Sequence, residues 1–161
     1  MSQIELMKES WLDIWPECEP LMRAHDEEVG LADARVPFEV DEDAAGKMDQ
    51  AGMLHILAAR TITERLIGYA IWYLVPNLSS RGVRLAAQGP WYVTPRFRDH
   101  GVGGRLWIQS ISDLRQMGIK IVHVHHSARE PSLGKFFVNI GAVPIESIYA
   151  LWIGSASVGE V

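Results

Sequence analysis

The chain has 161 residues, of which 48% are hydrophobic and 22% are charged, and its formal net charge is −5. This length and composition favour one globular domain spanning residues 1–161 and exclude a disordered chain. The acidic total argues against a nucleic-acid partner, and the longest apolar run, residues 66–75, is too short to cross a bilayer. A single cysteine and the lack of a visible secretory signal lead us to expect a cytoplasmic protein without a membrane partner.

Charge is distributed unevenly along the chain. Residues 1–60 carry 14 acidic and 5 basic side chains, whereas residues 61–161 carry 6 acidic and 10 basic ones. One interpretation is an anionic cofactor on the C-terminal half and a cationic substrate near the N-terminal half. A solvated acidic face is the other interpretation, and the sequence leaves both open.

Two helices are predicted in the first 50 residues. Residues 9–28 place apolar side chains at roughly helical spacing, which predicts the first helix. Pro16 lies inside it and predicts either a kink or the true start of the helix at that residue. The acidic residues 41–43 predict the N-terminus of a second helix that runs to about Gln50.

Strands dominate the next part of the chain. The pattern predicts strands at residues 54–59, 66–74 and 83–94, with a hairpin turn at 61–64 and a polar loop at 77–82. Gly89 and Pro90 fall inside the third of these strands. Because proline cannot donate to a sheet ladder and glycine weakens pairing, we expect a β-bulge there.

The last part of the chain alternates helices with strands. We predict a helix that follows the glycine-rich segment and ends at Met117, because Trp107, Ile111 and Leu114 share one face and Gly118 supplies a stop. A strand at residues 120–126, a helix at 131–140 and a strand at 145–153 follow. The order of elements predicts a single mixed α/β (α+β) domain.

The segment RFRDHGVGGRL, residues 96–106, joins a predicted strand to a predicted helix. The first backbone N–H groups of a helix lack partners within it, and glycines allow an anion to approach them closely. Arg96, Arg98 and Arg105 add positive charge nearby. The segment matches neither a P-loop nor the GxGxxG dinucleotide fingerprint.

The pattern Val-Thr-Pro at residues 93–95, followed by Arg98-x-x-Gly101-x-Gly103, resembles the central motif of the GNAT superfamily of acyl-CoA-dependent N-acetyltransferases. The segment FFVNIGA at residues 136–142 is similar to the superfamily's second motif. The likeness spans about residues 54–153, with the core motif at 83–142. It implies a mostly antiparallel, twisted mixed sheet flanked by helices. Segments 25–29, 66–70 and 146–150 are further similar to a branch often met in bacteriophage genomes.

The resemblance also implies a cofactor and a reaction. Acetyl-CoA would bind with its pyrophosphate on the glycine turn and its pantetheine arm beside the third strand, and an amine acceptor would attack the thioester directly. A backbone N–H near Val93 would stabilise the oxyanion. The implied cofactor-binding residues are Trp91, Tyr92, Val93, Arg98, Asp99, His100, Gly101, Val102, Gly103, Gly104, Arg105 and Phe136.

Proton-transfer groups are less clearly marked. Relatives often place an acid shortly before the Val-x-Pro motif, where this chain has Gln88 and Gly89, so Glu28 and His125 are the candidate bases. An exposed helical acid and an ordinary strand histidine are the alternatives for these two. The superfamily's tyrosine acid corresponds to Phe137, which leaves Tyr149 as the candidate acid or as a plain strand residue.

Two further possibilities follow from these gaps. The chain could be a CoA-binding or structural module without turnover, for example a phage virion or accessory protein. A free strand edge is compatible with a homodimer. His123, His125 and His126 cluster in sequence, but strand alternation separates them and no other ligand pattern accompanies them, so no metal site is expected.

Overall fold

A five-stranded sheet, whose strands lie side by side in chain order, carries the fold. The structure is a computed structural model that describes residues 4–29, 38–127 and 132–148. Its elements are β1 Ile4–Lys8, α1 Trp11–Val29, α2 Glu42–Gln50, β2 Leu54–Thr61, β3 Leu66–Pro76, β4 Arg84–Val93, a 3₁₀ helix Pro95–His100, α3 Val102–Gln116, β5 Ile121–His123 and α4 Ser132–Asn139. The predicted α+β class, with a mixed sheet flanked by helices, is confirmed.

The sheet is antiparallel from β1 to β4 and parallel only between β4 and β5. Its two faces are covered by different helices. On one face Ile14 and Cys18 of α1 pack against β2 and β3, and α2 lies beside α1. On the other face Val102 and Leu106 of α3 pack against the same two strands. Strand alternation explains this arrangement, since nearly every residue of β2 and β3 is buried on one face or the other.

The first strand, β1, is absent from the sequence prediction. It pairs antiparallel with β2 along its whole length. Arg60 of β2 secures the connection that follows β1, because its guanidinium donates to Glu9 Oε1 at 2.6 Å and to Glu17 Oε1 at 2.7 Å. The side chains of Arg60 and Glu9 are each only 10% exposed. This buried ion pair therefore ties the connection between β1 and α1 to β2, the strand next to the edge strand β1.

Helix α1 begins at Trp11 and continues through Pro16 and Pro20, so a start at Pro16 is wrong. Ser10 explains the earlier start. Its hydroxyl accepts from the Asp13 N–H at 3.2 Å and donates to the Asp13 carboxylate at 2.6 Å, which is a reciprocal N-terminal cap. The second predicted helix matches α2, where Asp41 caps the N-terminus through the Ala44 N–H. Among the described residues, no helix is both long and apolar enough to cross a membrane.

Two predictions near the C-terminus differ from the structure. Strand β5 ends at His123 instead of residue 126, because β4 offers regular pairing to it only as far as Ala87. Residues 145–148 have no regular secondary structure, so the predicted final strand does not form there. Residues 149–153 of that prediction lie outside the described residues.

A row of polar side chains crosses the sheet beneath α3. His55, Trp72 and Gln88 are opposite one another on β2, β3 and β4, and all three are buried. His55 Nε2 lies 3.3 Å from Asp113 Oδ2, but the orientation is poor for a hydrogen bond, and Nδ1 has no partner among the described residues. Burial lowers the pKa of His55 more than the neighbouring Asp113 carboxylate raises it. His55 is therefore a neutral imidazole in the folded protein at neutral pH.

The lowered pKa of His55 predicts that the folded state is less stable in mild acid. Unfolded chains bind a proton at this histidine below about pH 6.5, whereas the folded state resists it until the pH falls to the lower folded pKa. The free energy of unfolding should then fall between pH 7 and pH 5, by at most about 1.4 kcal/mol per pH unit for one proton. Urea unfolding at several pH values measures this slope.

His55→Gln tests whether His55 causes this pH dependence. The quantity to compare is the slope of the free energy of unfolding against pH, because the substitution also changes the absolute stability. His25 has a lowered pKa as well and contributes in the same direction, so the variant should show a reduced slope that stays above zero. A wild-type stability that rises from pH 7 to pH 5 would contradict the account.

Candidate active site

Strand β4 contains the predicted bulge. Ala70 is opposite Trp91 and Trp72 is opposite Gln88, so Gly89 and Pro90 together face the single residue Ile71. The β3 backbone comes very close here: a Cβ on Gly89 would lie 2.9 Å from the Ile71 carbonyl oxygen. Only glycine fits at this position, because there is no room for a side chain beside the β3 backbone.

The bulge lies where β4 and β5 part. Their parallel pairing covers only residues 85–87 of β4 and 121–123 of β5. Beyond it, the Thr94 N–H donates toward β3, to Ile67 O at 2.9 Å. Since N–H directions alternate along a strand, the N–H groups of Val93 and Trp91 point to the other edge, away from β3. Within the described residues, no strand pairs with the outer half of β4 on its β5 side, where the Val93 carbonyl accepts from Arg98.

A tight connection leads from this edge into α3. The 3₁₀ helix Pro95–His100 ends at Gly101, whose φ of 68° is left-handed and suits glycine. Helix α3 begins directly afterwards at Val102, so Gly103 and Gly104 belong to its first turn instead of preceding it, as the sequence had suggested.

Among the described residues, three amides at this helix start have no backbone acceptor. The Gly101 N–H is used by Arg98 O at 3.3 Å, and the Arg105 N–H by Gly101 O at 3.0 Å. Of the implied cofactor-binding residues 101–105, Val102, Gly103 and Gly104 are thus the ones whose N–H groups precede the first helical hydrogen bond. No side chain caps this terminus, and a Cβ on Gly104 would meet nothing within 4 Å. The helix start is open to an anion.

The arginines near the turn have protein partners. Arg105 Nη2 donates to Ile4 O at 2.8 Å, and Arg98 Nε donates to Val93 O at 2.9 Å. The two terminal nitrogens of Arg98 also donate hydrogen bonds to the two oxygens of the Glu28 carboxylate, at 2.6 and 2.7 Å. Arg98 and Arg105 therefore position the strand end and the helix start, and their charge reaches an anion only as a general field. Asp99 and His100 are exposed on the 3₁₀ helix.

Aromatic rings line the open edge of β4 on the face that α3 covers. Trp91 of β4 lies 5.7 Å from Trp107 of α3 and 6.5 Å from Phe136 of α4, measured between ring centroids. The structure thus brings together two predicted cofactor contacts, Trp91 and Phe136. Phe137 is buried against Trp107, at 5.5 Å, and offers no hydroxyl.

The opposite face of β4 carries a cluster that the sequence analysis missed as a site. His25 of α1 stacks on Tyr92 with ring centroids 5.0 Å apart, and its Nδ1 lies 3.3 Å from the Tyr69 hydroxyl. Burial lowers the pKa of His25, an effect that the Glu28 carboxylate opposes. A signal was present, because His25 and Glu28 are three residues apart and so share one helix face.

The predicted catalytic residues have different surroundings. The Arg98 guanidinium lowers the pKa of Glu28, so this carboxylate accepts a proton less readily than a free one. His125 is exposed in the segment after β5, and Tyr149 lies outside the described residues. Within the described ranges, no three metal-ligating side chains are grouped, and His123, His125 and His126 form no such set.

The comparisons with known proteins concern the family and the fold. Residues 5–136 match the Acetyltransferase (GNAT) family. A ribosomal-protein-alanine N-acetyltransferase from Brucella melitensis biovar Abortus 2308 has a similar structure, with a TM-score of 0.70 and 18% identity over 94% of this chain and 100% of that one. An aminoglycoside acetyltransferase from an uncultured soil metagenomic sample is similar at a TM-score of 0.71 and 14% identity, over 95% of this chain and 97% of that one.

An acetyltransferase from Trypanosoma brucei is similar at a TM-score of 0.68 and 16% identity, over 94% of this chain and 100% of that one. At these identities the likeness establishes a common fold. No curated protein matches the chain by sequence.

The close approach at Gly89 predicts that Gly89→Ala destabilises the protein by about 1–3 kcal/mol, because the added methyl group would overlap the Ile71 carbonyl and the Tyr73 ring. Gly46→Ala is the matched control. Its Cβ would lie 3.9 Å from Trp11, and within α2 the substitution should stabilise by about 0.5–1 kcal/mol. Urea unfolding compares the two, and equal stabilities would contradict the packing described for the bulge.

Proposed function

The chain belongs to the GNAT acetyltransferase family, and from this we propose that it transfers an acetyl group from acetyl-CoA to a primary amine. The observation that carries the proposal is the open start of α3 next to the part of the β4 edge with which no described strand pairs. One element offers amide donors for an anion, and the other offers a strand edge for an extended chain. Acetyl-CoA has both parts, a pyrophosphate and a pantetheine arm.

We assign the pyrophosphate to the N–H groups of Val102, Gly103 and Gly104. These amides have no partner within the helix, the helix dipole favours negative charge there, and the two glycines leave room for the phosphate oxygens. Arg98 and Arg105 contribute by holding the strand end and the helix start in place. The other turn residues, Asp99, His100 and Gly101, shape the approach.

The pantetheine arm is assigned to the outer edge of β4. An extended chain with amide groups can pair with the Trp91 and Val93 backbone as an added strand would. The rings of Trp91 and Phe136 then cover its apolar portions, while the Tyr92 side chain lies on the opposite face. The short pairing between β4 and β5 leaves this edge accessible.

Acetyl transfer in this arrangement needs little beyond positioning. A neutral amine that attacks the thioester carbonyl builds negative charge on the carbonyl oxygen, and the Trp91 or Val93 N–H is directed to that edge. Holding amine and thioester in contact supplies much of the rate. The CoA thiolate can leave without an acid, which is consistent with Phe137 at the usual tyrosine position.

The acceptor is proposed to enter from the α1 face. The N-terminal half that builds this face is strongly acidic, and a cationic amine suits it. Neighbours of similar TM-score are named for a ribosomal protein and for aminoglycosides, so the fold by itself does not select the acceptor. The roles of His125 and Tyr149 stay predictions.

A CoA-binding module without turnover is the second candidate. The absence of a carboxylate at Gln88 and Gly89 and the phenylalanine at position 137 favour it. The two candidates are separated by a melting curve with acetyl-CoA followed by a thiol-release assay over a panel of amines. Stabilisation with turnover supports the enzyme, whereas stabilisation without turnover on any amine supports the module. Absence of stabilisation at millimolar acetyl-CoA would contradict both.

Gly103→Glu is expected to abolish stabilisation by acetyl-CoA while leaving the fold intact. The new carboxylate would occupy the place assigned to the pyrophosphate, yet acids are well tolerated at a helix start, and a Cβ here would make only ordinary contacts of 3.8 and 3.9 Å. At 100 times the Kd, the wild type should gain about 2.7 kcal/mol. Thermal unfolding with and without acetyl-CoA measures both effects.

Ile108→Glu is the charge-matched control, because it places the same carboxylate at an exposed position further along α3. This variant should be stabilised by acetyl-CoA as much as the wild type is. Unchanged affinity in Gly103→Glu, or an equal loss in both variants, would refute the assignment of the phosphate site.

A further inference from the structure

We propose that His25 is the general base of the acetyl transfer, accepting a proton from the acceptor amine through Nε2. This inference rests on the proposed function and adds a residue that the family motifs do not contain. It starts from the cluster on the α1 face of β4, where His25, Tyr69 and Tyr92 are in contact.

The location of His25 fits the role. Its ring stacks on Tyr92, which is the neighbour of Trp91 along β4 and lies two residues beyond the bulge. The thioester carbonyl is assigned to the backbone edge of Trp91 and Val93. Tyr92 lies between these two residues and its ring faces α1, the side from which the amine is proposed to enter, so we place the amine between that carbonyl and the imidazole, with one water molecule able to relay its proton.

The ring of His25 is held in one orientation. Tyr92 fixes the plane of the imidazole by stacking, and the Tyr69 hydroxyl, 3.3 Å from Nδ1, fixes its rotation. Tyr69 and Tyr92 are buried, whereas His25 is only partly buried. We assign the ring proton to Nδ1, which then donates to the Tyr69 oxygen and leaves the lone pair of Nε2 free to accept a proton.

Burial keeps the imidazole of His25 neutral, although charged groups surround it. Burial lowers its pKa, the Glu28 and Asp26 carboxylates on α1 raise it, and Arg98 on the 3₁₀ helix lowers it. The pairing of Glu28 with Arg98 offsets much of the carboxylate's influence. Tyr69 from β3 and Tyr92 from β4 stay uncharged, since burial raises both of their pKa values. The basic form of His25 is therefore present at neutral pH.

In the proposed step one C–N bond forms and one C–S bond breaks. The neutral amine attacks the acetyl carbonyl carbon, and as the C–N bond forms its nitrogen becomes positively charged and acidic. Nε2 of His25 accepts the nitrogen-bound proton. The C–S bond then breaks, the sulfur leaves with the electron pair, and it takes a proton from solvent while His25 returns its proton to solvent. The products are the N-acetylated amine and CoA.

The first test needs no substrate. In the full chain labelled with ¹⁵N-histidine, long-range ¹H–¹⁵N spectra report which ring nitrogen carries the proton, and the His25 signals are those missing in His25→Asn. We expect a proton on Nδ1, a bare Nε2 and a protonation midpoint below pH 6.5. A proton on Nε2, or a midpoint above 6.5, would overturn the proposal.

The second test uses acetyl-CoA with spermidine, sisomicin and an alanine-terminated peptide as probe amines. His25→Asn retains an amide N–H where Nδ1 donates to Tyr69 but lacks the nitrogen that accepts the proton. It should lower kcat by about 10²-fold and remove the low-pH inflection of kcat, while stabilisation by acetyl-CoA stays unchanged. Tyr69→Phe should cause a smaller loss, and His126→Asn, an exposed control, none.

The outcomes are distinguishable. If acetyl-CoA does not stabilise the wild type, the proposed function itself fails. If the wild type turns over and His25→Asn keeps its rate and its pH profile, the function stands and the base is not His25. A loss in His125→Asn in place of His25→Asn would transfer the role to His125. If no probe amine reacts, the tautomer of His25 decides.

Discussion

The extra residue in β4 is the constraint on which the rest of the site depends. Two residues, Gly89 and Pro90, face Ile71 across the ladder, and the space beside the Ile71 carbonyl accepts no side chain. Before the bulge, β4 pairs on both edges, whereas beyond it, in the part of the chain that the structure describes, only the edge toward β3 pairs with a strand. The open edge, the short β5 and the proposed pantetheine position all follow from this change.

Val93 connects the two sides of the site. Its N–H is directed to the open edge, and its carbonyl accepts from Arg98, which also holds Glu28 at the end of α1. The last turn of α1, with His25 stacked on Tyr92, is thereby fixed relative to the end of β4 and the start of α3. The proposed cofactor and acceptor regions are positioned by one short stretch of chain, so the geometry between them is well defined.

Much of this could be predicted from the sequence, because its signals were local. The bulge at Gly89–Pro90 followed from the backbone chemistry of these two residues, and the helices and central strands followed from hydrophobic period. The parts that could not be predicted depend on distant partners. Strand β1 is short and needs β2 to pair with, β5 stops where β4 diverges, and Arg98 meets Glu28 across 70 residues. A functional role for His25 was not predicted for the same reason, since Tyr69 and Tyr92 are far from it in sequence.

A backbone ¹H–¹⁵N spectrum of the full chain titrated with acetyl-CoA tests the central claim most directly, because it reports on each amide separately. The account predicts that the largest shifts occur at Val102, Gly103 and Gly104, with a second group at Trp91 and Val93 on the open edge of β4. Saturation that leaves these five amides unchanged while others move would contradict it.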